Sequence, residues 1–113
     1  PAMRLQQITQ IRQLVDADPL TKLLGGDLNA GPGSPVHAVA TGGLRDVWSV
    51  VGTGSGLTAP ARAPRHRIDY LLTSPEWTPD AAGVLFSSVS DHRAVYADLS
   101  LPSLPDCTWI DNP

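Results

Sequence analysis

"HRIDYLLTSP", residues 66–75, is the stretch on which the fold turns. Ile68, Tyr70 and Leu72 alternate with Arg67, Asp69 and Leu71, the period of a strand with two unlike faces. Asp69 is the anomaly: a carboxylate inside an apolar strand must be paired or neutralised. Two partners are open. Arg67 lies two residues away on the same face. An imidazole from elsewhere is the functional alternative, because an aspartate behind a histidine fixes its tautomer and stabilises the imidazolium.

Downstream, "SVSDHRAVYADLSLP" (residues 88–102) contains such an imidazole. Val95, Ala97 and Leu99 alternate with Tyr96, Asp98 and Ser100, so 93–101 reads as a half-buried strand. It opens on Ser90, Asp91, His92 and Arg93. These are not a serine-hydrolase triad, since neighbours along a strand point apart and no G-x-S-x-G turn exists. Asp91 suits a hard cation as an oxygen ligand, and His92 suits a phosphate or an attacking water. The plainer reading is a polar turn in which Asp91 binds nearby backbone N–H groups. "GVLFSSV" (83–89) reads as a further strand.

Upstream, "KLLGGDLNAGPGSP" (22–35) begins a short apolar strand at Leu23 and Leu24 and ends it at Asp27 and Asn29. Period two aims both side chains the same way, where they can hold a metal-bound water and a phosphate oxygen. An Asx turn into a glycine loop is the plainer reading. Ser34 is placed to cap a short helix with Pro35 at its first position, running to Gly42-Gly43. Before this, Leu5, Ile8, Ile11, Leu14 and Val15 recur at helical spacing, and the helix stops near Asp18-Pro19. "LRDVWSVVG" (44–52) reads as helical. "GTGSG" (52–56) lacks the lysine of a phosphate-binding loop and reads as flexible. Strands and helices together predict a mixed α and β layer structure.

The remaining features bound the function. At 113 residues the chain makes one domain at most, and 42% hydrophobic residues allow a real core. A net charge of −3 argues against a general nucleic-acid coat, though Arg62, Arg65 and Arg67 bring local positive charge that can meet a phosphate or be solvated. Cys107 is alone, which excludes an internal disulfide and a cysteine-based zinc site and leaves the redox compartment open. No apolar run is long enough for a transmembrane segment. His37 and His66 read as surface or satisfied core positions. Trp48, Trp77 and Trp109 read as packing, and residues 102–113 as an irregular tail tacked to the core by Trp109 and Ile110.

Taken in order, "GGDLNAGP", "HRIDYLLTSP" and "SDHRAVYADL" resemble the endonuclease/exonuclease/phosphatase superfamily, the DNase I-like metal-dependent phosphoesterases. Arg4 and Gln7 are similar to the R-x-x-Q helix of many members. The resemblance implies an α/β sandwich of two facing mixed sheets flanked by helices, and hydrolysis of a phosphoester with a divalent metal, usually magnesium, with manganese or calcium as alternatives. Carried over residue by residue, it makes Asp27, Asn29, Asp69 and His92 catalytic: Asp27 orients or deprotonates the water, Asn29 helps hold it, Asp69 hydrogen-bonds His92, and His92 contacts the phosphate. Asp91, with Asp27 and Asn29, would bind metal. Family members are about twice as long, in keeping with a closed two-sheet sandwich. Their first half carries an asparagine and a glutamate that ligate metal and a further histidine, none assignable here. Residues 1–113 are therefore expected to be the C-terminal half of one such domain. The chain alone is expected to be inactive and prone to self-association, and its partner is the N-terminal half. The substrate, nucleic acid, phospholipid head group or small phosphate ester, stays open. The alternative is a non-catalytic binding or scaffold module on the same fold.

Overall fold

A computed structural model describes residues 2–102 of the chain. Eight elements follow one another: α1 (Ala2–Ala17), β1 (Leu23–Asp27), α2 (Pro35–Ala40), β2 (Arg45–Asp46), α3 (Val47–Val51), β3 (Asp69–Thr73), β4 (Thr78–Leu85) and β5 (Ala94–Ser100). The expected tail beyond residue 102, with Cys107, Trp109 and Ile110, lies outside the described residues.

Local chemistry sets the helix ends. α1 stops before Asp18-Pro19, and the Asp18 carboxylate accepts from the Leu20 N–H at 2.9 Å. Ser34 caps α2, its Oγ accepting from the His37 N–H at 3.2 Å, with Pro35 in the first turn. The 44–52 stretch divides where one helix was expected. Arg45 and Asp46 pair with Thr73 and Leu72 as a short strand, and only Val47–Val51 is helical. The 52–56 loop is also more than a flexible link. It wraps the Trp48 indole, whose Nε1 donates to the Gly54 carbonyl at 3.0 Å. A Cβ at Gly52 or Gly56 would lie within 2.4 Å of that ring, so glycine is required for the close approach.

The strands form two sheets, one of order β1-β3-β2 and one of β4-β5. All described pairings are antiparallel, whereas mixed sheets were expected. Tyr70 and Leu72 turn one face of β3 onto Ile8, Val36 and Ala40, which is the core. β4 begins at Thr78, earlier than the 83–89 expectation, and ends at Leu85. The partner decides this: β5 is long enough to pair from Thr78↔Ser100 to Leu85↔Ala94, and a register shift between Pro79 and Ala81 leaves Asp80 as the extra residue beside the proline.

The core is one-sided. On α1, Ile8 is buried, but Ile11 and Leu14 are 42% and 76% exposed. Arg12 takes a buried position instead, its guanidinium donating to the Ala40 carbonyl at 2.9 Å and so satisfying the end of α2. Leu23 on β1 is 58% exposed. The apolar stripe of α1 is thus wider than the surface the described residues lay against it.

Candidate active site

The register of β1 on β3 sets Asp27 directly opposite Asp69. Like charges across a strand pair repel, so this pairing needs a cation or a proton between them. His92 supplies it. The 86–93 turn delivers the ring to the end of these two strands, with Nδ1 at 2.7 Å from Asp69 Oδ2 and Nε2 at 3.9 Å from Asp27 Oδ2. Ionised carboxylates only accept, so Nδ1–H donates to Asp69. Donor atoms of Asp27, Asp69 and His92 all lie within 4.8 Å of one another. The Asp69 hydrogen bond and the neighbouring charges of Asp69, Asp27 and Asp91 outweigh partial burial and raise the His92 pKa above its ordinary value.

Backbone contacts hold the His92 segment on both sides. The Ala61 N–H donates to the Asp91 carbonyl and the Arg93 N–H to the Thr58 carbonyl, each at 2.7 Å. Arg93 Nε adds a bond to the Ala61 carbonyl at 2.7 Å. The His92 N–H donates to Ser90 Oγ at 3.1 Å. Thr58 is fully buried, so the anchor is rigid. Sequence reading missed this clamp, because bonds to carbonyls demand no particular residue type.

Asn29 sits near Asp27 by a route other than strand alternation. β1 ends at Asp27, the Asn29 N–H donates to Asp27 Oδ1 at 2.7 Å, and Asn29 adopts φ 49°. The Asx turn and the convergence on one site therefore coexist. Asp27 and Asn29 share a cleft of about 300 Å³ with Arg4 and Gln7 of α1. Asp91 is not among the converging donors and lines a separate cleft with Arg62 and Ser88.

Arg67, the other candidate partner for Asp69, is committed elsewhere. Its guanidinium makes two bonds to Asp46, at 3.1 and 2.8 Å. His37 Nε2 donates to the same carboxylate at 2.9 Å, and its ring lies 5.1 Å from that of Tyr70. Burial pushes the Asp46 pKa up, but the hydrogen bonds and charges of Arg67 and His37 outweigh it and hold the carboxyl below its ordinary value. Neither Asp46 nor its bond to His37 was foreseen from the sequence.

For a divalent cation, the donor chemistry fits in part. Asp27 and Asn29 offer the hard oxygens that magnesium takes, whereas Asp91, also expected as a metal ligand, lies in the separate cleft. Asp69 and His92 are already spent on each other. A set of one carboxylate and one amide falls short of the six oxygens magnesium takes, so further ligands, from water, substrate or protein, belong to the site.

The family model described as the endonuclease/exonuclease/phosphatase family matches residues 1–92. Comparison with curated proteins returns no match. Among solved structures, the chain is similar to a mannosyl-6-phosphatase of Bacteroides thetaiotaomicron, with TM-score 0.77 and 19% identity over 87% of this chain and 46% of that one. It is similar to a conserved protein of unknown function from Enterococcus faecalis, with TM-score 0.75 and 24% identity over 87% and 44%. An endonuclease/exonuclease/phosphatase protein of Bacteroides vulgatus matches with TM-score 0.72 and 18% identity over 87% and 44%. The chain thus spans less than half the length of these structures.

Proposed function

The chain belongs to the endonuclease/exonuclease/phosphatase family of phosphoesterase-type hydrolases, and from that premise we propose that it is the C-terminal half of a divalent-metal-dependent phosphoester hydrolase. The observation that carries this reading is the facing pair Asp27 and Asp69 with His92 between them. A bare pair of carboxylates repels a phosphate. A histidine whose Nδ1–H is tied to Asp69 presents its other nitrogen, Nε2, outward and, when protonated, as a donor to a phosphate oxygen. Asp69 is then the orienting group, and it stabilises the imidazolium that receives the developing charge.

Asp27 keeps one oxygen on the Asn29 N–H and the other free toward His92, which suits a carboxylate that orients or deprotonates a water. Asn29 lines the same cleft and holds that water or the phosphate. Asp27 and Asn29 would hold the metal, which when bound offsets charge on the phosphate. The other ligands would come from the half of the domain that this chain does not span. The exposed Ile11, Leu14 and Leu23 and the buried Nε of Arg4, which has no partner among the described residues, fit a surface that another segment covers.

The test is nuclear magnetic resonance of the histidine rings with inorganic phosphate and magnesium. Phosphate is expected to shift the His92 signals and spare His37, which is tied to Asp46. In the complete domain, a His92 ring that ignores saturating phosphate in the presence of magnesium would overturn the reading. The chain alone is expected to show negligible turnover of bis(p-nitrophenyl) phosphate.

A further inference from the structure

Tyr70 follows Asp69 on β3, and successive side chains leave a strand on opposite faces. Asp69 holds His92. Tyr70 is buried, and its hydroxyl lies 2.7 Å from the Ala30 carbonyl and 2.9 Å from the Arg67 carbonyl. A phenol has one hydrogen to give, and the shorter distance assigns it to Ala30. Burial raises the Tyr70 pKa to about 12, so that hydrogen stays in place at neutral pH. The ring is braced as well. The guanidinium carbon of Arg67 lies 4.9 Å from its centroid and the His37 ring 5.1 Å, and both of these groups are held by Asp46.

Ala30 is the neighbour of Asn29, whose φ of 49° is left-handed. A residue other than glycine keeps that conformation where its surroundings over-determine it. Two bonds act on its N-terminal side. The Leu28 N–H donates to the Ile68 carbonyl at 2.8 Å, and the Asn29 N–H donates to Asp27 Oδ1 at 2.7 Å. On its C-terminal side, among the described residues, the Tyr70 hydroxyl is the hydrogen bond that ties Ala30 to the sheet. A turn held on one side alone still rotates about the ψ of Asn29, so the side chain is aimed when both sides are held.

We propose that Tyr70 is a positioning residue of the candidate site: its hydroxyl, acting through the Ala30 carbonyl, fixes the turn that sets Asn29 in one cleft with Asp27. One strand then registers both parts of the site, His92 through Asp69 and Asn29 through Tyr70. The kinetic consequence rests on the phosphoesterase reading.

The experiment is Tyr70→Phe in the complete domain, alone and combined with Asn29→Ala. Phenylalanine keeps the ring against Ile8, Val36 and Ala40 and deletes only the hydroxyl. Turnover of bis(p-nitrophenyl) phosphate in saturating magnesium is expected to fall about five- to ten-fold, the size of one hydrogen bond, and to fall in kcat rather than KM. The nitrogen-15 signals of the Asn29 side-chain amide should move or broaden without substrate or metal, while the His92 ring signals stay in place. With Asn29→Ala already present, Tyr70→Phe should cost less than about two-fold, because no aimed amide is left to lose. A role in packing alone would give the same loss in both backgrounds, and losses that multiply overturn the proposal. It falls too if Tyr70→Phe leaves the Asn29 signals unmoved, or if it moves the His92 ring instead. A wild-type domain that turns over no phosphoester removes the phosphoesterase reading, and the positioning role with it. Turnover with multiplying losses removes the positioning role alone.

Discussion

Two histidine–aspartate pairs hang from the same three-stranded sheet, with nearly equal bond lengths: 2.9 Å for His37 on Asp46 and 2.7 Å for His92 on Asp69. Their surroundings differ. Asp46 is buried and receives two further bonds from Arg67, so one carboxylate is matched by a fixed cation and an imidazole. The Gly33 N–H donates to His37 Nδ1 at 3.3 Å, so both ring nitrogens are used within the protein. Around His92 the excess runs the other way. Asp69, Asp27 and Asp91 all act on one ring, which is 28% exposed, and Nε2 has no hydrogen-bond partner among the described residues. A histidine–aspartate pair is thus not a site in itself. It is structural where its charge is closed, and available where charge and a ring nitrogen are left over.

The comparison can be broken most forcefully at Arg67. Arg67→Ala leaves Asp46 buried without its cation and is expected to cost about 3–5 kcal/mol in urea unfolding. A loss under about 1 kcal/mol would mean that the closed pair carries no structural weight. Next comes His92→Ala. In the complete domain, turnover of a phosphoester should fall by about 10²–10³, the usual loss for one donor to a developing anion. The unfolding midpoint of that variant should fall, but by less than that of Arg67→Ala, since Asp27 and Asp69 are partly exposed and water screens their repulsion. A large stability loss with activity retained would reverse the roles of the two pairs.

Acid and base sharpen the contrast, since the two pairs have opposite slopes. The Asp46 carboxyl is held below its ordinary 3.8, so its stabilisation is present above that value and is lost as pH falls through the lower folded value. His92 is raised above 6.5, so its stabilisation is full below 6.5 and is lost as pH rises through the folded value. The carbon-13 carboxylate signal of Asp46 is expected to titrate below 3.8, and the His92 ring above 6.5. Asp69→Asn should lower the His92 titration midpoint. The smallest effect is at Ser34→Ala, which removes the cap of the helix that carries His37 and should cost about 1 kcal/mol.

Much of the fold was legible where its causes are local. Pro19 ends α1, Ser34-Pro35 opens α2, and alternation marks β3 and β5. Asp69 and His92 could be matched before any coordinates, because a carboxylate in an apolar strand and an imidazole at a strand entrance each demand a partner. What escaped was long-range. Asp46 hides in an apolar run that reads as helix, since a two-residue strand has no period. Arg67 sits two residues from Asp69 and reaches Asp46, which lies 21 residues away in sequence. β4 starts at a Thr-Pro-Asp segment with weak strand propensity, because β5 extends that far.

The sequence by itself determined α1, α2, β1, β3 and β5 and which side chains carry charge, because backbone preference, capping and periodicity act within a few residues. Only the tertiary structure decided which aspartate meets which cation. That choice depends on distance through space, set here by the β1–β3 register and by the turn that brings His92 across 23 residues to Asp69. Coulombic attraction and hydrogen bonding fall away over a few ångströms, and spacing along the chain does not record those ångströms.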